Sequence, residues 1–203
     1  MSRTRIGVLG GTFDPFHNGH LSVARSVRDS GLVDCVIVVP ANDQWQKKAV
    51  ATAQQRLEMA RRGISVDAVA GTGDSMNDAL FVSDVDILRG GPTYTIETLE
   101  DLSLLHPDAD FRFIVGVDAA SGLPSWYRTD ELRDRASFIV VTRPGTSPPQ
   151  LDVQGYDLNL LHIPPVDVSS SMCRDAIHNG AAVTDLVPLA VAAYIESEGL
   201  YRE

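Results

Sequence analysis

Short apolar runs bounded by turn residues alternate with amphipathic stretches along this chain, and that alternation leaves few folds open to it. Ile6-Gly-Val-Leu9 and Cys35-Val-Ile-Val-Val39 are continuous in their apolar character, which suits strands buried on both faces. Between them, residues 20–30 set Leu21, Ala24 and Val27 about one turn apart and Arg25, Arg28 and Asp29 elsewhere, the pattern of an amphipathic helix stopped at Gly31. Further strands are predicted at 81–87, 111–115, 138–142 and 158–163, with helices at 53–64, 95–105 and 129–135. Ser169-Ser-Ser171 is a run of good N-cap residues ahead of a helix that ends at Gly180, and a last helix is predicted over 187–197. Strands alternating with helices imply right-handed crossovers and an α/β fold. The expectation is a doubly wound parallel sheet, Rossmann-like, with a small C-terminal helical part and a ligand crevice at the carboxyl ends of the strands.

The 203 residues fit one domain able to bury its own core, and no linker or repeat divides them. A net charge of −10 argues against a broad nucleic-acid or anionic-membrane surface, each of which needs a basic face. Cys35 and Cys173 form no Cys-x-x-Cys, so neither a disulfide framework nor a thiolate zinc site is indicated. The first apolar run is too short for a signal peptide, and no apolar stretch reaches membrane-spanning length. A cytoplasmic protein is expected.

The turn after the first strand reads Gly10-Gly-Thr-Phe-Asp-Pro-Phe-His17-Asn-Gly-His20 and opens into the first helix. Paired glycines let backbone approach a ligand, and a helix start offers N–H groups and a positive dipole end to an anion. Gly7, Gly10 and Gly11 do not make the dinucleotide fingerprint, and no Gly-Lys-Ser/Thr follows for a Walker A loop. His17 and His20, three apart, can bring two imidazoles to one side of the helix entrance as donors to phosphate. Capping or core histidines, or a zinc pair, are the other readings of the same spacing.

This stretch resembles the signature of the HxGH nucleotidyltransferases, and within them the bacterial nicotinate-nucleotide adenylyltransferases. The likeness continues through Arg56 to Met59, Gly91-Pro-Thr-Tyr-Thr95, Gly116-Val-Asp118, Trp126, Arg143-Pro-Gly145, Ser169-Ser-Ser-Met-Cys-Arg174 and Gly199-Leu-Tyr201. Where many members carry Pro-Pro-His-Lys, this chain has Asp43-Gln-Trp-Gln-Lys47-Lys48, so Lys47 or Lys48 is the lysine to reach the ligand. Residues 66–77 are longer and richer in Gly and Asp than the family pattern, and Ser171 stands for the usual Thr.

The resemblance implies adenylyl transfer from ATP, accompanied by Mg2+, to nicotinic acid mononucleotide. An acceptor phosphate monoester has a second pKa of about 6, is a dianion at neutral pH and needs no protein base. The protein has to hold two phosphates together and stabilise charge on the transferring group. On this reading His17, His20, Lys47 and Arg174 carry the chemistry. ATP lies against Gly10, Gly11, Thr12, Phe13, His20, Gly116, Asp118, Arg143, Ser170, Ser171 and Arg174, while Thr95, Trp126 and Tyr127 face the pyridine. No residue set is assigned to a protein-borne metal. Plainer roles compete: an exposed helix arginine for Arg174, a turn for Arg143, an N-cap for Asp118 and Thr95, and core for Trp126. Other acceptors (nicotinamide mononucleotide, phosphopantetheine, a specialised metabolite), cytidylyl transfer, or a nucleotide sensor without catalysis are the alternatives. Assembly into a homo-oligomer is compatible with the sequence.

Overall fold

The computed structural model describes residues 3–43, 49–65, 79–142 and 155–202. Six parallel strands form one sheet in the order β3-β2-β1-β4-β5-β6. They are β1 (Thr4–Gly11), β2 (Cys35–Pro40), β3 (Ala79–Val82), β4 (Ala109–Gly116), β5 (Ser137–Thr142) and β6 (Leu158–His162). The doubly wound expectation holds. Every residue of β2 is buried, as its uninterrupted apolar run requires of a strand covered on both sides.

On one face lie α1 (Asn18–Asp29), α2 (Ala53–Gly63), α7 (Ser170–His178) and α8 (Leu189–Glu198), whose Leu21, Ala24, Met59, Cys173, Val191 and Ile195 share one apolar cluster with Val36, Val38 and Ile114. On the other lie α4 (Thr95–Leu105), α5 (Val117–Ser121) and α6 (Thr129–Arg135), which pack Ile96, Leu99, Leu102, Ala120 and Leu132 against Val8, Ile37, Phe113 and Phe138. The C-terminal helices are therefore part of the main core. Thr52 and Gln55 start α2 with a reciprocal capping box, and Gly199 in the left-handed region ends α8.

One predicted strand is wrong in extent. The run 81–87 is two elements, β3 ending at Val82 and a short helix α3 (Val85–Arg89). Ser83 and Asp84, residues that favour turns, break the strand, and Arg89 then pairs with Asp86 one helical turn back at 2.8 Å. The first helix also begins earlier than residue 20, with His17 as its N-cap and His20 in its first turn.

Strand order reverses between β1 and β4, which are neighbours although β2 and β3 intervene in the chain. Loops leaving these two strands diverge to opposite faces and open a crevice at their carboxyl ends. Gly10, Gly11 and Gly116 stand there.

Candidate active site

Two adjoining clefts occupy the crevice. The larger, about 1040 Å3, is lined by Gly10, Gly11, Asp86, Tyr94, Thr95, Thr98, Gly116, Asp118, Trp126 and Tyr127, among others. The smaller, about 340 Å3, is lined by Thr12, Phe13, Asp14, His17, His20, Ser169, Ser170, Ser171 and Arg174, with Ala49 and Val168. They abut where Gly11 passes to Thr12. The larger volume suits a mononucleotide-sized ligand.

Glycine is explained differently at each place. A Cβ at Gly10 or Gly116 would meet no atom within 4 Å, and neither residue has a positive φ. Neither the fold nor the packing demands glycine there, so what its absent side chain leaves is room for a ligand against the backbone. A Cβ at Gly11 would lie 2.8 Å from the Phe13 ring, which the left-handed Phe13 (φ 54°) folds back onto the strand end. Gly19 completes the histidine motif because a Cβ there would come 3.0 Å from the His17 imidazole.

The two imidazoles stack with centroids 3.6 Å apart, and the Phe13 and Phe16 rings flank His20 at 4.8 and 5.4 Å. His17 is only 6% exposed, so the pair is built into the wall of the cleft and is not a solvent-facing helix start. Burial lowers the His17 pKa to about 4. Burial, and then the charge of His17, pulls His20 well below the ordinary histidine value. Both are neutral at pH 7. His20 Nδ1 accepts the backbone N–H of His17 at 3.3 Å, which assigns its own proton to Nε2 and makes that nitrogen a donor. His17 Nδ1 is buried without a protein partner.

Opposite the imidazoles, Ser169 caps α7 by accepting from Met172 N at 3.2 Å, and the first turn of that helix directs its amide end at the small cleft. The capping residue is thus Ser169 alone. Ser170 Oγ donates to Pro15 O at 3.1 Å and Arg174 Nη1 donates to Asp14 O at 2.7 Å, so α7 is tied to the β1–α1 loop. Arg174 is not a free surface arginine; its guanidinium lines the cleft beside the histidines.

In the larger cleft Asp118 lies in the first turn of α5, whose N-cap is Gly116, so the N-cap role weighed for Asp118 falls away. Trp126 does both jobs weighed for it. Its ring meets Phe138 edge-on at 6.4 Å and also faces the cleft. Its backbone N–H is spent on Leu123 O at 3.0 Å, leaving the ring as its offering. Tyr127, half exposed, packs on Tyr94 with centroids 4.5 Å apart. Tyr94 is the N-cap of α4 and makes no side-chain cap bond, so the amide end of α4 at Thr95 opens into the cleft uncapped. Lys47 and Lys48, Arg143 and the stretch 66–77 lie outside the described residues.

Two site-building residues, Arg56 and Asp86, were given no site role by the sequence. Arg56, 2% exposed, donates to the carbonyls of Thr12, Ala41, Asn42 and Ala51 and so fixes the rim of both clefts. Its place on the apolar face of α2 beside Leu57, Met59 and Ala60 was the available signal. Asp86, buried under the larger cleft, accepts from Thr98 Oγ1 at 2.7 Å and from Arg89, and links α3 to α4. Burial raises its pKa, against the two hydrogen bonds. Nothing local marked it, because its neighbours read as strand.

Among the described residues, no group of three or more His, Cys, Asp or Glu could hold a metal ion, and no helix is long and apolar enough to cross a membrane. A paired-histidine zinc site is therefore not assembled among them.

Comparison with known proteins agrees with this geometry. The cytidylyltransferase-like family model matches residues 8–176. The chain is 43% identical over 200 residues to a Clavibacter michiganensis subsp. michiganensis protein named "Probable nicotinate-nucleotide adenylyltransferase", covering 98% of this chain and 95% of that one. A Dehalococcoides mccartyi protein of the same name is 37% identical over 212 residues, covering 100% and 99%. Among solved structures, the Plasmodium falciparum nicotinic acid mononucleotide adenylyltransferase complexed with NaAD superposes with a TM-score of 0.76 at 21% identity, over 98% of this chain and 97% of that one, a likeness of fold. Sheet order, the stacked histidine pair and these relatives agree, and the chain belongs to the nicotinate-nucleotide adenylyltransferases of the cytidylyltransferase-like nucleotidyltransferase family.

Proposed function

We propose that this chain, acting as a single nucleotidyltransferase domain, transfers the adenylyl group of ATP to the phosphate of nicotinic acid mononucleotide, giving deamido-NAD and pyrophosphate in NAD biosynthesis. The observation that carries the reading is the junction of the two clefts at Gly11 and Thr12, a donor-lined anion pocket directly beside an aromatic one. The triphosphate lies in the small cleft against His20 Nε2, His17, Arg174 and the start of α7. Adenosine runs along Gly10, Gly116 and Asp118, whose carboxylate is placed to accept from ribose hydroxyls. The acceptor ring stacks on Trp126. Lys47 and Arg143 keep the roles the family resemblance gives them.

The imidazoles and the guanidinium of the small cleft are hydrogen-bond donors, and the Asp14 carboxylate already accepts three protein hydrogen bonds, so Mg2+ fits as a passenger on the ATP phosphates, where it neutralises charge. Both cysteines are buried and unpaired, which suits a cytoplasmic site of action.

Acid is favoured over amide by the start of α4. A carboxylate only accepts, so it satisfies the uncapped amides there and the amide of Tyr127 beside Trp126, and it gains from the helix dipole. A carboxamide would turn its own donors toward them. Leaving such a donor unpaired costs about 1–3 kcal/mol, so kcat/KM for nicotinic acid mononucleotide should exceed that for nicotinamide mononucleotide at least ~10-fold. Steady-state rates with the two acceptors at saturating Mg-ATP test this, and equal or better use of the amide rejects the acceptor assignment.

A further inference from the structure

Asp14 is a buried carboxylate on the wall of the small cleft, and no direct ion pair holds it among the described contacts. Its oxygens accept from Val50 N at 2.7 Å, Ala51 N at 3.1 Å and the Tyr201 hydroxyl at 2.6 Å. Tyr201 comes from the far end of the chain, 187 residues away, and is itself buried. Its φ of 65° places it in the left-handed region just after α8, a conformation a side chain adopts only where its surroundings fix it. The Asp14 backbone carbonyl meanwhile anchors Arg174. Tyr201 thus touches, through one residue, the loop that carries the histidines and the helix that carries the arginine.

A buried carboxylate beside a triphosphate subsite needs hydrogen bonds to its oxygens to be held in one place. We propose that Tyr201 is a positioning residue for that subsite: its hydroxyl keeps the Asp14 carboxylate engaged and holds the loop whose carbonyl anchors Arg174. The proposal rests on the reading of the small cleft as the triphosphate site. Burial and the Asp14 charge keep the phenol protonated far above neutral pH, so it stays a donor at every working pH.

The test is calorimetric binding of a non-hydrolysable ATP analogue with Mg2+, and separately of nicotinic acid mononucleotide, to the full chain and to Tyr201→Phe, which keeps the buried ring. A lost hydrogen bond to a charged group predicts about tenfold weaker analogue binding, with the mononucleotide unchanged within about twofold. Ile195→Val, which removes a buried methyl from α8, is the stability control and leaves analogue affinity unchanged. A wild-type analogue affinity in folded Tyr201→Phe, or equal losses for both ligands, overturns the positioning role. Failure of the wild type to bind the analogue overturns the subsite reading instead. A second measurement needs no variant: analogue binding to the wild type should slow amide exchange at Val50 and Ala51, whose N–H groups Asp14 accepts, and unaltered exchange there contradicts the proposal.

Discussion

Replacing His20 by alanine should slow adenylyl transfer about a hundredfold. Its Nε2–H is a fixed donor, set by the bond that Nδ1 accepts from the His17 amide and by the flanking Phe13 and Phe16 rings. Charge grows on the transferring phosphoryl oxygens as pyrophosphate departs, and a prepositioned donor is worth more to that state than to bound ATP. Losing one such donor costs about 3 kcal/mol of transition-state stabilisation. The loss should therefore appear in kcat as well as in kcat/KM. His20→Asn, which retains an N–H donor, should recover part of the rate. Because the imidazole is walled in by aromatic rings, the alanine variant also opens a gap, so its circular dichroism and melting curve must accompany the kinetics. A folded alanine variant with near wild-type kcat would remove His20 from the mechanism.

Arg56→Met should destabilise the protein by about 3–5 kcal/mol. The methionine fills much of the buried volume but leaves the carbonyls of Thr12, Ala41, Asn42 and Ala51 without their common donor. Each buried acceptor left unpaired costs on the order of 1–3 kcal/mol, partly relieved by water at the cleft rim. Burial works against the Arg56 charge while Asp14, Tyr201 and Asp43 favour it, so its removal also takes away a counter-charge from Asp14. For a chain of this size the expected loss is on the order of 10 °C in Tm. Calorimetric melting checks it. A Tm within about 2 °C of the wild type would mean that the rim segments hold themselves in place.

Much of this is legible in the sequence, and the reasons are physical. Fully buried strands such as β2 announce themselves because both faces must be apolar, and the amphipathic period of α1 is fixed by one covering face. That His17, His20 and Arg174 would gather in one cleft was legible because strand-to-helix turns and helix starts are where anion-binding groups converge in such a sheet. What stayed hidden was long-range. Residues 81–87 read as one strand, yet Ser83 and Asp84 turn the chain so that Asp86 can meet Thr98, a partner that no local pattern names. Asp14 and Tyr201 stand 187 residues apart, and a tyrosine near a chain end carries no local sign of a buried carboxylate waiting for it. The Gly19 requirement became visible only with the His17 ring 3.0 Å from where a methyl would be.

The most direct test of the central claim is phosphorus NMR of the wild type turning over ATP, Mg2+ and nicotinic acid mononucleotide. On the proposed reading the triphosphate lies against the stacked histidines and the α7 start, and the acceptor phosphate should attack the α-phosphorus. Pyrophosphate and a dinucleotide joined through a phosphoanhydride should appear in equal amounts, with no ADP and no inorganic phosphate. ADP formation, or ATP consumption independent of the mononucleotide, would contradict the account.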